Sequence, residues 1–288
     1  MAQFDTQYTA IDHPSPRRLW PLGGVFWIDL LIVIVLAVLI SLAASTYVVV
    51  RAAQEGLVNL VDRASLERLA QDQETVNRLL GAGGAFVVLL IQNAILIGVP
   101  MLRVAVLRRG QLATIGFQAH APLRLALFGV GLGVAVLAGN ALLSYLFRSI
   151  GIEQNQAAQY PLFQGDYVGQ ALFLVGAAIL APIGEETFFR GYAFNALRQT
   201  FQARRWGLPL AYLVSALLFM AAHALAATQG LSGLLVPAFL MGLALAWGMH
   251  RTGSLLPCVI AHALNNSVAL LALLVCVNNP GIAECPRL

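Results

Sequence analysis

The chain has 288 residues, of which 59% are hydrophobic and only 10% are charged, and its mean hydropathy is +0.78. This composition excludes an ordinary soluble globular domain and indicates an integral membrane protein. The formal net charge of +4 comes from arginines spread along the chain, without the clustered basic face that a nucleic-acid-binding protein needs.

Seven apolar runs are long enough to cross a bilayer core about 30 Å thick, which takes about 20 helical residues. They lie at about 27–50, 84–107, 123–147, 169–190, 208–227, 231–249 and 255–277. We therefore predict an all-α fold, a polytopic membrane bundle of seven helices. An eighth helix would result if Pro182 and Gly184 break the fourth run, because proline removes a backbone donor and kinks a helix.

The first run is too long, and too far from a small-residue cleavage site, for a signal peptide, so we interpret it as a retained helix. Residues 51–80 follow it and carry apolar side chains at helical spacing. This spacing predicts an amphipathic helix or hairpin that lies near the external membrane surface.

Arginines alternate between the loops, and the alternation predicts the orientation because basic residues are retained on the cytoplasmic side. The arginine-rich segments contain Arg17, Arg18, Arg108, Arg109, Arg198, Arg204, Arg205 and Arg251. The loops at 150–168 and 228–230 carry no arginine, and the loop at 51–80 is nearly neutral. We therefore predict a multi-pass protein of the plasma membrane with a cytoplasmic N-terminus and an external C-terminus.

The three cysteines have no metal-binding CxxC spacing. Cys258 falls inside the last run, whereas Cys276 and Cys285 fall at or beyond its external end. Those two are placed to form an external disulfide, and two inert thiols are an equal alternative.

Ionisable side chains inside the apolar runs are candidates for function, because each charge there costs on the order of 3 kcal/mol. Asp29, His250 and Arg251 fall at the ends of runs, which favours contacts with lipid headgroups. The residues that remain inside are Glu185, Glu186, Arg190, His223 and His262, with the polar Asn265 and Asn266 beside the last.

Three runs each place one pair of residues four positions apart, on one helix face. The pairs are Glu186 with Arg190, Phe219 with His223, and His262 with Asn266. We assign Glu186 to a charge-assisted pair with Arg190, in which each charge neutralises the other. Glu185 is turned about 100° from Glu186 by the helical period, which leaves its carboxylate available for chemistry.

These residue types suit the hydrolysis of an amide or ester. A desolvated glutamate can accept a proton from water, and histidines can share that task or hold a metal ion. An amide and an imidazole can donate hydrogen bonds to a developing oxyanion. The chain has no HExxH pair and no G-x-S-x-G turn, and Cys258 shows no sign of activation, so we expect water to be the nucleophile.

The segments "EETFFR" at 185–190, "FMAAH" at 219–223 and "HALNN" at 262–266 resemble the motifs EExxxR, FxxxH and HxxxN, in the same order. Those motifs belong to the CPBP intramembrane proteases, a family that includes the type II CAAX prenyl endopeptidases and the bacterial Abi-type bacteriocin-immunity proteins. The resemblance covers about 165–277 and extends loosely to 107–117.

The resemblance implies a domain organisation and a set of roles. Residues 1–120 would be an N-terminal two-span region, 121–277 a CPBP-like catalytic bundle, and 278–288 a short tail. Glu185 would activate water with help from His223. The oxyanion would be stabilised by His262 and Asn266. The first motif would be completed by Glu186 and Arg190.

The family also carries a metalloprotease label, which implies an alternative in which zinc or another divalent ion takes part. Glu185, His223 and His262 would then be its ligands, with water in an open position. The sequence leaves open whether the water is activated by a metal or by glutamate alone. Asn265 is an extra amide, and we assign it to helix packing.

Two other classes of function remain beside an intramembrane endopeptidase. A non-catalytic bacteriocin-immunity or scaffold protein would use the buried pairs only to hold helices together. A proton-coupled transporter would use Glu185 and the histidines as a relay, but transporters usually contain inverted repeats and the sequence shows none. The compact, arginine-only chain indicates a bacterial protein. We therefore expect a membrane-associated peptide or protein as substrate, the lipid bilayer as surroundings, and no nucleic-acid partner.

Overall fold

A computed structural model describes residues 22–107, 111–118, 120–152, 160–226, 231–279 and 281–282. Within these ranges the chain is helical and contains no β-strand, so the predicted all-α fold is confirmed. Several segments used to predict the orientation and the tail lie outside the described residues. They are Arg17, Arg18, Arg108, Arg109, the loop at 228–230 and the residues 283–288.

Seven helices of the described chain are long and apolar enough to span a membrane. They are α1 (Phe26–Gln54), α3 (Gln73–Leu107), α4 (Pro122–Ser149), α5 (Tyr167–Phe201), α6 (Gly207–Ala226), α7 (Leu231–Thr252) and α8 (Leu256–Asn278). A short helix, α2 (Arg63–Gln71), lies between the first two spans. Two 3-10 turns, Leu22–Gly24 and Leu112–Ile115, complete the regular structure in these ranges.

Helix α5 continues through Pro182 and Gly184, so the predicted alternative with an eighth helix is wrong for the described residues. Its α-helical parts are separated by two π-helical segments, Gly176–Leu180 and Thr187–Phe194. Pro182 lies in the first turn of the central α-helical part, where a missing N–H is tolerated. The helix also extends to Phe201, which places Arg198 inside the helix and not in the predicted loop.

Helix α1 lies at the edge of the bundle, where it packs against α3. Most of its side chains are exposed and apolar, for example Leu31, Val35 and Leu42. A helix that is apolar around its whole circumference is typical of a membrane span, in which lipid takes the place of a protein core. The exposed faces of the other spans are apolar for the same reason.

Asp29, near the start of α1, does not lie at an exposed interface. Its side chain is only 1% exposed, and both carboxylate oxygens accept hydrogen bonds from Arg103 Nε at 2.8 Å. The Tyr192 hydroxyl donates to the same carboxylate. The headgroup position predicted for Asp29 is therefore wrong, because a buried carboxylate is compensated by a cation and a donor from two other helices. The network joins α1, α3 and α5.

Residues 51–80, which we call the cap, lie at the end of the bundle where α1 ends and α3 begins, and we call this end the cap end. The predicted helix of this segment is present as α2, and Asp62 caps its N-terminus by accepting from Ala64 N at 3.0 Å. Its Leu69 packs against a small apolar cluster at the end of α1 and the start of α3. The cap therefore has its own small core.

Helix α4 packs closely along α8 through two glycines. A Cβ on Gly129 would lie 2.9 Å from Pro257 Cα, and a Cβ on Gly133 would lie 3.1 Å from Ala261 Cα. Any larger residue would therefore push the backbones apart, as at other small-xxx-small contacts between membrane helices. At the end opposite the cap, which we call the turn end, Leu255 N donates to Gly116 O at 2.9 Å. These contacts fix the position of α8 along α4.

The most completely buried segment of the bundle is the second half of α5. Every residue of the π-helical segment Thr187–Phe194 is buried, and Phe188, Tyr192 and Phe194 are among the largest buried side chains. This segment contacts α3, α6 and α7. Helix α5 is therefore the central helix of the described structure, and it carries the first of the three sequence motifs.

Candidate active site

The three motifs meet around one aromatic ring, that of Phe219 on α6. Arg190 of α5 places its guanidinium carbon 4.0 Å from the centre of this ring. The ring centroids of His223 and His262 lie 4.4 Å and 5.8 Å from it. Phe219 itself is fully buried. The structure thus brings residues of α5, α6 and α8 together, as the spacing of the motifs predicts.

Glu186 has two partners, one more than the sequence predicts. Its Oε2 lies 3.1 Å from Arg190 Nε, which is the predicted ion pair, and its Oε1 lies 2.8 Å from His262 Nδ1. All three side chains are almost completely buried. Because an ionised carboxylate can only accept, Nδ1 of His262 carries the proton of this bond. The other nitrogen of the ring, Nε2, is therefore the one available for chemistry.

Glu185 is the more accessible of the two glutamates, with 15% of its side chain exposed. Its Oε2 lies 4.0 Å from His262 Nε2 and accepts no hydrogen bond from the described residues. His262 thus lies between two carboxylates, bonded to Glu186 on one side and facing Glu185 on the other. The adjacent glutamates have different surroundings, as the helical period predicts.

His223 lies near the end of α6 and is half-buried. Its Nδ1 is 2.9 Å from the carbonyl oxygen of Phe219, so Nδ1–H donates to the backbone. This bond fixes the tautomer of the neutral ring and leaves the lone pair on Nε2. His223 is therefore equipped to accept a proton.

His223 lies near the end of α6 and His262 near the start of α8, yet both rings contact Phe219. The two histidines therefore approach one side chain of α6 from different helices. At the turn end, the ring of Tyr212, early in α6, packs against His250, near the end of α7, with centroids 5.9 Å apart.

A buried amide outside the predicted catalytic set holds α5 in place. Asn93 of α3 is buried; its Oδ1 accepts from Gly184 N at 3.1 Å and its Nδ2 donates to Leu89 O at 2.9 Å. A Cβ on Gly184 would overlap Asn93, so glycine is required beside the glutamates. Sequence reasoning missed Asn93, although a polar residue inside the second apolar run is a signal that could have found it.

Asn266, predicted to stabilise an oxyanion, lies one turn beyond His262 on α8. Its Nδ2 donates to Ala177 O of α5 at 3.0 Å. One N–H of the amide is thereby used, and the second remains for another acceptor. Asn265 bonds to Asn266 at 3.2 Å and to Asn140 of α4 at 2.9 Å, which agrees with the helix-packing role assigned to it.

Tyr160, a second residue that sequence reasoning missed, approaches the site from the cap end. Its ring packs on Phe173 with centroids 5.3 Å apart, and Asn77 Nδ2 donates to its carbonyl at 3.4 Å. Burial raises the pKa of the Tyr160 phenol, and the negative charge of Glu185 acts in the same direction. Tyr160 is therefore a neutral group within electrostatic reach of Glu185.

The predicted metal ligands do not form a metal-binding group in the structure. Among the described residues, no group of three or more His, Cys, Asp or Glu side chains is placed to hold a metal ion. The zinc alternative stays a prediction, and the mechanism below includes no metal step.

The cysteines, His250 and Arg251 are not among the side chains grouped around Phe219. Cys258 is buried and its Sγ donates to Leu245 O at 3.3 Å, which indicates a packing role. Cys276 is disulfide-bonded, and Cys285 lies outside the described residues. Arg251 is exposed at the turn end, whereas His250 is half-buried.

Comparison with known proteins agrees with the motifs. Residues 167–268 match the family model of the Rce1-like type II CAAX prenyl endopeptidases, and the matched segment contains all the predicted site residues. An uncharacterized 24.3 kDa protein of Escherichia coli is 38% identical over 100 residues, which are 35% of this chain and 43% of that protein. The chain thus aligns with less than half the length of this relative. No solved structure matches the chain.

Proposed function

Because the chain belongs, through residues 167–268, to the CPBP family of type II CAAX prenyl endopeptidase-like proteins, we propose that it is an intramembrane endopeptidase. It hydrolyses a peptide bond of a membrane-associated substrate with water as the nucleophile. The observation that carries the proposal is the position of His262, 2.8 Å from Glu186 and 4.0 Å from Glu185. This arrangement supports one glutamate as a fixed partner of the histidine and the other as a base.

In the proposed first step, Glu185 removes a proton from water, with His223 Nε2 as a second acceptor. The water oxygen adds to the carbonyl carbon of the substrate, and the electron pair of the C=O bond moves to the carbonyl oxygen. Glu185 is suited to this role because its Oε2 accepts no hydrogen bond from the described residues.

The oxyanion then accepts hydrogen bonds from the second N–H of Asn266 and from Nε2 of His262. For His262 to donate, both ring nitrogens must carry protons, and Glu186 accepts the one on Nδ1. Arg190 is the counter-ion of Glu186, with 3.1 Å between Nε and Oε2. Collapse of the intermediate breaks the C–N bond, and the leaving amine takes the proton held by Glu185.

The proposal is tested by comparing membrane peptides from cells that express the wild-type chain or Glu185→Ala. A fragment present only with the wild type supports it and identifies the substrate. Equal fragment profiles from equal amounts of folded protein contradict it. They would support the non-catalytic immunity or scaffold alternative, which the nearly complete burial of Glu186, Arg190 and His262 also fits.

Location and cofactor are part of the same proposal. An odd number of candidate spans supports opposite sides of the membrane for the two ends of the described helices, and the arginine distribution supports a cytoplasmic N-terminus in a bacterial plasma membrane. Reporter domains fused after Arg205 and after Leu288 should report cytoplasm and exterior, respectively.

Cleavage that survives treatment with a chelator would support glutamate-activated water. Loss of cleavage that added zinc restores would support the metal alternative.

A further inference from the structure

A chain of three amides connects α4, which lies outside the family match, to the proposed oxyanion site. Asn140 Nδ2 donates to Asn265 Oδ1 at 2.9 Å, and Asn265 Nδ2 donates to Asn266 Oδ1 at 3.2 Å. Asn266 Nδ2 then donates to Ala177 O at 3.0 Å. The chain therefore crosses from α4 through α8 to α5.

The end of this chain is a carbonyl that the backbone of α5 leaves available. Ala177 lies in the π-helical segment Gly176–Leu180, where an N–H bonds to the carbonyl five residues earlier. Ala181 N–H accordingly donates to Gly176 O. The next N–H, which would serve Ala177 O, is missing because residue 182 is proline. The Asn266 side chain takes its place.

The carbonyl at the end sets the direction of the whole chain. A carbonyl can only accept, so Asn266 must turn its NH₂ group, and not its oxygen, toward Ala177. Its oxygen then faces Asn265, which must donate in turn, and the same holds for Asn140. Reversal of any one amide would bring two oxygens together. Each member therefore fixes the orientation of the next.

The close packing of α4 against α8 places Asn140 within reach of Asn265. Gly129, Gly133 and Asn140 lie on one face of α4, and the two glycines allow backbone contact with α8 near Pro257 and Ala261. The same face thus carries both the contact that sets the distance between the helices and the amide that begins the chain.

We infer that Asn140 and Asn265 are positioning residues, which hold the Asn266 amide so that an N–H, and not an oxygen, is available to the reacting carbonyl. The inference rests on the proposed function, in which Asn266 stabilises the oxyanion. It makes α4 a part of the catalytic machinery, although no motif lies on it. It also gives Pro182 a role, since proline leaves the anchoring carbonyl of Ala177 without a backbone donor.

The test uses Asn140→Asp in the full chain, purified in detergent. Its substrate is the peptide identified by comparing membrane peptides from cells that express the wild type or Glu185→Ala. The ionised carboxyl has no hydrogen to donate and faces Asn265 Oδ1, so the amides should reverse and kcat should fall by about tenfold. This is less than the loss of ~100-fold expected when an oxyanion donor is removed outright. KM should stay within about twofold, because the substrate does not touch Asn140.

The dependence on pH separates positioning from a merely structural role. When the introduced carboxyl is protonated, its O–H can donate to Asn265 again, so the deficit should shrink as the pH falls. Dividing each rate by the wild-type rate at the same pH removes the titration of Glu185, His223 and His262, which both proteins share. Asn140→Leu should show a deficit that does not change with pH.

The matched control is Asn278→Asp, which alters an amide of α8, the helix of Asn265 and Asn266, that bonds to Gln170 and not to the chain of three amides. It should leave the kcat profile unchanged. A folded Asn140→Asp or Asn140→Leu with wild-type kcat at every pH would overturn the inference, while a difference between wild type and Glu185→Gln would still uphold the proposed function. Equal rates for wild type and Glu185→Gln would overturn both. Should Asn140→Asp not fold, Asn140→Leu decides by its kcat alone.

Discussion

Two pairs of glutamate and arginine in this chain have the same helical spacing and nearly the same separation, but opposite surroundings. Glu186 and Arg190 lie 3.1 Å apart, with side chains 0% and 1% exposed. Arg51 and Glu55 lie 3.3 Å apart at the cap end, with side chains 47% and 33% exposed. Water competes for the charges of the second pair and not for those of the first. Breaking the buried pair should therefore lower the stability of the protein much more than breaking the exposed pair, despite their equal geometry.

The neighbours of the two pairs differ in the same way. The buried pair contacts His262 and the ring of Phe219, so each charge is fixed from more than one helix. At the cap, Glu55 accepts from Arg78 at 3.0 Å, and both side chains are partly exposed. The buried cluster is therefore a unit of tertiary structure, whereas the exposed one is a set of contacts that can exchange with water. This difference predicts a ranked series of effects.

The largest expected effect on stability is that of Glu186→Gln. The change leaves the buried Arg190 without its counter-ion and removes a charged acceptor from His262, which should lower the free energy of unfolding by about 3–5 kcal/mol. Thermal unfolding of the purified protein in detergent measures it, with Glu55→Gln as the control. Equal melting temperatures for the two variants would show that the buried pair stabilises the protein no more than the exposed pair.

An intermediate effect is expected for Asp29→Asn. Asp29 is buried, but its partner Arg103 is partly exposed and can turn toward water, so the loss should be about 2 kcal/mol. Tyr192→Phe removes only the hydroxyl that donates to Asp29 and should cost about 1 kcal/mol. The double variant should cost less than the sum of the two, because both changes affect one network. Simple additivity would mean that the network does not act as a unit.

The smallest effect is expected for Glu55→Gln. The hydrogen bond from Arg78 holds the pKa of Glu55 below its ordinary value of 4.5, with a further contribution from Arg51. The stabilisation is therefore present above pH 4.5 and is lost as the pH falls through the lowered pKa. At neutral pH the melting temperature should change by no more than about 2 °C. The small difference in melting temperature between the wild type and Glu55→Gln should disappear in acid. A Glu55→Gln chain that melts far below the wild type at neutral pH would contradict the comparison of the buried and the exposed pair.

The sequence predicts the helices well, because lipid imposes a simple rule on composition. All seven apolar runs are helices, and the spacing of Glu186 and Arg190 correctly predicts their ion pair. The π-helical segments and the extension of α5 to Phe201 are not predictable in this way. Hydrogen bonds from distant helices to α5, such as those of Asn93 to Gly184 and Asn266 to Ala177, are likewise contained in no local pattern.

The position of a residue along a helix also does not say what it faces. Asp29 lies at the start of an apolar run, which favours a headgroup position, but its side chain points toward Arg103 and is buried. Asn140 lies inside a run without any motif, yet it begins the chain that ends at Asn266. A polar residue inside an apolar run is a usable signal for such sites, whereas the partner depends on how the helices pack.

The central claim, that Glu185 is the base that activates water, is tested most directly by the cleavage rate of purified Glu185→Gln. The change keeps the size and polarity of a side chain whose Oε2 accepts no hydrogen bond from the described residues, so the variant should melt within about 2 °C of the wild type. Its cleavage of the identified peptide should nevertheless fall by about 100-fold or more. A folded Glu185→Gln that cleaves at the wild-type rate would contradict the mechanism.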